Sequence, residues 1–214
     1  QTLDLPGELQ IVTVANSLYY THTPAAINSI TALVQFRVDA GGSTVDMKAG
    51  FNIRAANGVN DHDVSVRADT TGFRLYDNNA PAFIGLLIAA DLTTDMQFLV
   101  YLHATVELFY RRPGDTKWLV GQAGTPTNDT ATPRAVGYIE WGHRVSSSST
   151  THWQLFEWAG DAEAVDVLDV RGRSRPLTAA PIGIPDLGAG AGEGIAHVSV
   201  SSGPGAYGEE WTVT

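Results

Sequence analysis

Residues 97–122 read QFLVYLHATVELFYRRPGDTKWLVGQ. Phe98, Val100 and Leu102 alternate with Leu99, Tyr101 and His103. Val106, Leu108 and Tyr110 then alternate with Thr105, Glu107, Phe109 and Arg111. A period of two is the signature of a strand with one face buried. Arg112-Pro113-Gly114-Asp115 supplies turn chemistry before Trp118 and Val120. The stretch therefore predicts three consecutive antiparallel strands. A meander of three strands with an apolar face is stable where a lone hairpin is not. It is expected at the centre of one sheet of a β-sandwich.

Short strands separated by turn signals continue on both sides. Upstream, 8–14 (ELQIVTV), 30–38 (ITALVQFRV) and 48–55 (KAGFNIRA) read as strands. Leu18-Tyr19-Tyr20 is expected to cover the sandwich edge. Residues 64–68 and 73–76 form an expected hairpin across Thr70-Thr71-Gly72. Residues 82–90 are wholly apolar and read as one strand or an irregular crossing. Downstream, 124–133 reads as a loop, 135–141 as a strand, 146–151 as a polar loop tip and 152–158 (HWQLFEW) as a strand. No segment holds a helical period beyond two turns, so the fold class is all-β, a sandwich or barrel.

Composition narrows the function classes. The 214 residues are 43% hydrophobic, enough for a substantial core, and carry a net charge of -10. That charge argues against nucleic acid and against insertion into an anionic membrane. No apolar run approaches the roughly 18 residues of a membrane span. With no cysteine in the chain, disulfide and thiolate chemistry are excluded. Gln1 is not an initiator Met and Thr214 falls within a strand-like pattern. The expectation is a fragment of a longer protein.

The order of these elements resembles the concanavalin A-like (laminin G-like) lectin and glucanase fold, over about residues 9–159. The stretches that carry the likeness are ALVQFRV, GFNIRA with HDVSVRA, GFRLYDN, ADLTTDMQFLVYL, VELFYRRPGDTKWLVG and YIEWGHRVSSSSTTHWQLFEW. The resemblance implies an antiparallel jelly-roll sandwich over residues 1–170. Residues 171–193 (RGRSRPLTAAPIGIPDLGAGAGE) read as a Gly/Pro/Ala-rich linker. Residues 194–214 read as a β-hairpin extension or the start of a further module. This Gly-rich, Trp-bearing hairpin is similar to those of bacteriophage tail and antireceptor proteins, which implies an extracellular or virion location.

Candidate chemistry follows from the side chains. Aromatic residues can stack on the apolar face of a sugar ring. Trp141 and Trp153 share faces with Ile139 and Leu155 and are expected in the core. Tyr101, His103, Glu107 and Trp118 are the candidate ligand-binding residues. Asn60, Asp61 and Asp63 form an oxygen-rich loop, and the resemblance implies Ca2+ at such a rim. An ordinary Asx-rich turn is the competing reading, because the spacing matches no calcium-loop signature. The six histidines show no zinc-site spacing. Glycoside hydrolysis needs two carboxyl groups flanking one bond. Glu107 and Glu140 each lack a second acid two residues away. Glu163 and Asp166 are three apart and would point oppositely on a strand. A non-enzymatic recognition domain is therefore expected, with cell-surface glycan or a host receptor as partner. A structural module that forms homo-oligomers and a divergent glycoside hydrolase are the alternatives.

Overall fold

A computed structural model describes residues 9–23, 25–160, 195–199 and 212–213. The described residues form strands and turns and no helix. In chain order the strands are β1 (Leu9–His22), β2 (Ile30–Ala40), β3 (Gly50–Ala56), β4 (Asp61–Asp69), β5 (Gly72–Asp77) and β6 (Ala82–Ala89). There follow β7 (Met96–Leu102), β8 (Val106–Arg111), β9 (Leu119–Gly124), β10 (Tyr138–Gly160), β11 (Ile195–Ser199) and β12 (Thr212–Val213). Every pairing is antiparallel, in the order β6-β5-β4-β3-β10-β2-β7-β8-β9. The chain forms the expected all-β jelly-roll sandwich.

One strand makes two layers out of this single order. The first part of β10, Tyr138–Gly142, pairs with β3, whereas Thr150–Gly160 pairs with β2. β1 follows the other edge of β10 from Leu9↔Trp153 to His22↔Ile139. The β1/β10 ribbon thus passes from a front layer (β3, β4, β5, β6) to a back layer (β2, β7, β8, β9). Gly50 and Gly142 face each other where β10 leaves the front layer. Gly50 has φ +139°, and a Cβ there would lie 2.0 Å from the Val66 carbonyl oxygen. Only glycine lets the backbones approach so closely.

Side chains of period two fill the interior. Phe36, Phe51, Phe73, Phe98, Phe156 and Trp153 are fully buried. Phe36 stacks on Trp153 at 4.4 Å, and Phe73 meets Phe98 edge-on at 4.9 Å. Edge-on and offset rings satisfy the aromatic quadrupole while burying large areas. Trp141 and Trp153 are in the core, as expected.

Several local expectations need correction. The meander is β7-β8-β9, three consecutive antiparallel strands as expected, but it flanks the back layer, and β10 and β2 are the central strands. Alternation reports which face is buried and carries no information on lateral position. Leu18-Tyr19-Tyr20 continues β1 and does not cap an edge. The expected strand over 135–141 starts only at Tyr138, and 146–151 is no loop tip: β10 runs through it. Ser147 and Ser149 pair with Asn16 and Thr13, so a polar sequence is strand because its partner is there. Residues 82–90 do form a strand, β6, yet its side chains are mostly exposed.

The expected linker 171–193 lies outside the described residues. Of 194–214, β11 pairs with Leu155–Ala159 of β10 and β12 with Tyr20 and Thr21 of β1. The described parts of that segment therefore add to the β1/β10 ribbon and do not pair with each other.

Candidate functional site

The outer face of the back layer carries most of the candidate ligand-binding residues. Leu99 of β7 and Phe109 of β8 are cross-strand partners and both are buried, although they point away from the main core. They are covered from outside by Leu33, Tyr101 and Trp118. Tyr101 lies opposite Glu107. The Arg111 guanidinium lies 4.3 Å from the Trp118 ring centroid, and its Nε donates to Gln97 Oε1 at 2.7 Å. Tyr101 and Trp118 are thus half-buried roof residues over a small apolar floor. Their remaining surface faces outward beside a carboxylate and a guanidinium. The Trp118 Nε1–H is buried and has no acceptor among the described residues.

Electrostatics on this face are mild. Burial raises the Tyr101 phenol above its ordinary value and the Glu107 carboxylate adds to the rise. Burial lowers the Arg111 guanidinium, which Asp115 partly offsets. Both groups keep their usual charge at neutral pH. His103 is not part of the patch. It is exposed in the β7–β8 turn, where its N–H donates to the Thr105 carbonyl at 2.8 Å. That turn lies within electrostatic reach of His62.

Asn60, Asp61 and Asp63 serve a different network, on the outer face of the front layer. Arg54 lies beside both aspartates, with Nε 3.2 Å from Asp61 Oδ1 and Nη2 against Asp63 Oδ2. Asp61 Oδ2 accepts from the Arg134 N–H at 3.0 Å. Asp63 Oδ2 accepts from the Tyr138 hydroxyl at 2.8 Å, and its Oδ1 from Asn78 Nδ2 at 2.8 Å. Asn60 Oδ1 accepts from Asn128 Nδ2 at 2.7 Å. A guanidinium already stands between the two carboxylates that a cation would need. Among the described residues no group of three or more His, Asp or Glu is arranged to hold a metal ion.

This front-layer network is the feature that sequence reasoning missed. Tyr138 pairs with Arg54 and Arg54 with Asp63, while Glu140 pairs with Asn52 and Asn52 with Ser65. Two adjacent rows of hydrogen-bonding side chains therefore cross three strands. Asn52, Asp63, Ser65 and Glu140 are all buried although they lie on the outer face. Arg54 lies over the Tyr138 ring at 4.4 Å and Arg67 over the Tyr76 ring at 3.2 Å, which roofs the rows. Burial raises the Asp63 carboxyl, with Arg54 pulling the other way. Burial also raises Glu140, opposed chiefly by Arg144. The Tyr138 hydroxyl is pushed far up by burial and by the adjacent Asp63.

The search for two acids on one strand could not find Asp63 and Glu140, which reach one face from β4 and β10. Both are committed to internal partners: Asp63 to Arg54, Tyr138 and Asn78, Glu140 to Arg144 at 3.5 Å and Thr21 at 3.4 Å. The signal in the sequence was the period-two placement of Asn52/Arg54, Asp63/Ser65/Arg67 and Tyr138/Glu140. These are bidentate or hydrogen-bonding side chains where a plain solvent face would carry Lys, Glu and Thr.

No protein-family model matches the chain, and no curated protein matches it. Solved structures with a similar course of chain include a functionally unknown protein from Saccharomyces cerevisiae. It is 9% identical, covers 73% of this chain and 90% of its own, and has a TM-score of 0.46. A heptameric SAP-like pentraxin from Limulus polyphemus is 9% identical over 73% of this chain and 77% of its own, at a TM-score of 0.45. The alginate lyase AlgAT5 of polysaccharide lyase family 7 is 9% identical, at a TM-score of 0.43. It covers 66% of this chain, which spans 63% of that protein. At these identities and TM-scores the likenesses assign neither a ligand nor an activity to this chain.

Proposed function

We propose that this chain is a non-enzymatic recognition module that binds cell-surface carbohydrate through the outer face of β7 and β8. The observation that carries the reading is the convergence of Tyr101, Glu107 and Trp118, from three segments, over the Leu99/Phe109 floor. Half-buried Tyr101 offers stacking area to a pyranose ring, and the Arg111 guanidinium over the Trp118 ring can donate to sugar hydroxyls. Glu107 beside Tyr101 can accept hydrogen bonds from sugar hydroxyls. Binding there calls for no metal ion, since Asp61 and Asp63, the candidate calcium ligands, lie on the outer face of the other layer with Arg54 between them. The Gly-rich, Trp-bearing tail sequence supports a setting in a phage tail or similar surface-adhesion protein.

The test is binding of the chain and its variants to bacterial cells and isolated surface glycans. Trp118→Ala, Tyr101→Ala and Glu107→Gln are each expected to weaken binding about tenfold, or ~1.4 kcal/mol. His103→Ala, off the patch, is expected to bind as the parent does. Equal binding by all four variants would overturn the site assignment.

A further inference from the structure

The edge where the two layers close is unlike the rest of the surface. β6 and β9 end the strand order and lie against each other. Gln122, itself buried, joins them: its Nε2 donates to the Leu86 carbonyl, and its Oε1 accepts from the Leu75 N–H at 2.6 Å. Opposite Arg74 the β5/β6 ladder jumps from Phe73↔Ile88 to Leu75↔Ile84. Gly85, Leu86 and Leu87 thereby form a bulge, with Gly85 at φ +79° and pressed against the Gln122 side chain. A bulge re-aims side chains out of a ladder. Here it holds Leu86 84% exposed and Leu87 48% exposed.

Phe83, Leu119 and Val120 on the same two strands are also exposed. Five of the ten exposed large apolar side chains among the described residues thus share this edge. Summed over the five side chains, which lie on both faces of these strands, the exposed area is on the order of 500 Å², against roughly 800 Å² for one side of a standard interface. Fixing leucines in solvent with a buried glutamine is unfavourable unless the surface is covered. An apolar edge strand without a charge would otherwise pair indiscriminately.

We propose that a second copy of this chain covers the edge, the two β6/β9 surfaces meeting face to face. Charge favours this occupant. Each copy carries a net charge of -10, so two copies repel wherever acids face each other. Residues 78–90 and 118–128 contain no Asp, Glu, Lys or Arg. The apolar edge is therefore a face on which two such copies can approach. A two-fold pairing also makes the patch its own partner.

Sedimentation equilibrium of the 214-residue chain tests this, alongside Leu86→Glu, Val120→Glu and the control Val59→Glu, which sits on an exposed site away from the edge. The parent is expected to dimerise in the micromolar range, more tightly as salt screens the like charges. Leu86→Glu and Val120→Glu are expected to raise the dissociation constant at least tenfold while melting as the parent does at concentrations where both are monomeric, and Val59→Glu to leave the dissociation constant unchanged. A parent that stays monomeric throughout that range overturns the proposal. So does a dimer that tolerates Leu86→Glu, or one that Val59→Glu disrupts equally. Glycan binding by Leu86→Glu reports separately on the β7/β8 face, so either reading can fail alone; Val120 lies opposite Phe109 of that floor and serves only the dimer test.

Discussion

Acid should unfold this protein in a way that one buried histidine makes measurable. His143 is fully buried in the first stretch of β10 that β3 no longer pairs with. Its Nδ1 lies 2.7 Å from Ser149 Oγ and 2.8 Å from Thr13 Oγ1, and its Nε2 lies 2.9 Å from Thr151 Oγ1. The neighbours fix the tautomer. Thr151 Oγ1 accepts from Trp153 Nε1–H and keeps its own proton to donate to Nε2. Ser149 donates to the Lys48 carbonyl at 2.8 Å, so its oxygen accepts from Nδ1–H. The ring is neutral with both nitrogens used, and a second proton would break the Thr151 donation.

Burial pushes the His143 imidazole down from 6.5 to about 4. The unfolded chain therefore binds a proton first. The stabilisation is complete above pH 6.5, is lost as pH falls between 6.5 and about 4, and changes no further below that. At 1.36 kcal/mol per tenfold change in proton affinity, the loss is about 3 kcal/mol. Asp63 and Glu140 act with the opposite sign, because carboxyls raised by burial favour the folded state as they protonate. The comparison must therefore be differential. His143→Gln keeps an acceptor and a donor and removes the titration. Urea unfolding followed by tryptophan fluorescence at pH 7.5, 5.5 and 4 should show the parent losing about 3 kcal/mol relative to the variant. Parallel pH profiles for the two proteins would refute the assignment of a neutral, buried ring.

Two more expectations concern stability. Arg54→Met leaves Asp61 and Asp63 buried without their cation and should cost about 3–5 kcal/mol in urea unfolding, with Asp63→Asn in the same chain restoring part of it. Full stability in the single variant would show that the pair is not held as described. Gln122→Leu strips the Leu75 N–H and the Leu86 carbonyl of their partner, which should cost about 1–3 kcal/mol and speed hydrogen exchange at Leu75. Unchanged exchange there would show that the two layers close without Gln122.

How much of this was legible beforehand depends on the distance over which each feature is decided. Residues 98–111 revealed their two faces because alternation is a property of one strand, and Phe98, Val100 and Leu102 indeed face the core. The 70–72 turn was legible because Asp69 caps it locally, accepting from Thr71 N at 2.7 Å. Ser146–Thr151 was misread because its strand state is set by β1, more than a hundred residues away. Residues 82–90 look buried on composition alone; only the position of β6 at the end of the order exposes them. The front-layer network left only its period-two pattern in the sequence, since Asp63, Arg54 and Tyr138 meet only when β4, β3 and β10 are side by side. Tyr101 and Trp118 were legible as candidate aromatics, but the apolar floor of Leu99 and Phe109 that half-buries them was not, because it forms only when β7 and β8 pair.

The most direct test of glycan recognition is a glycan-array and whole-cell binding measurement on the purified chain, in calcium and in chelator. The account predicts saturable binding that is equal in both conditions and reduced by Trp118→Ala. Absence of binding to any glycan or cell would contradict it, as would binding that the chelator abolishes and Trp118→Ala leaves intact.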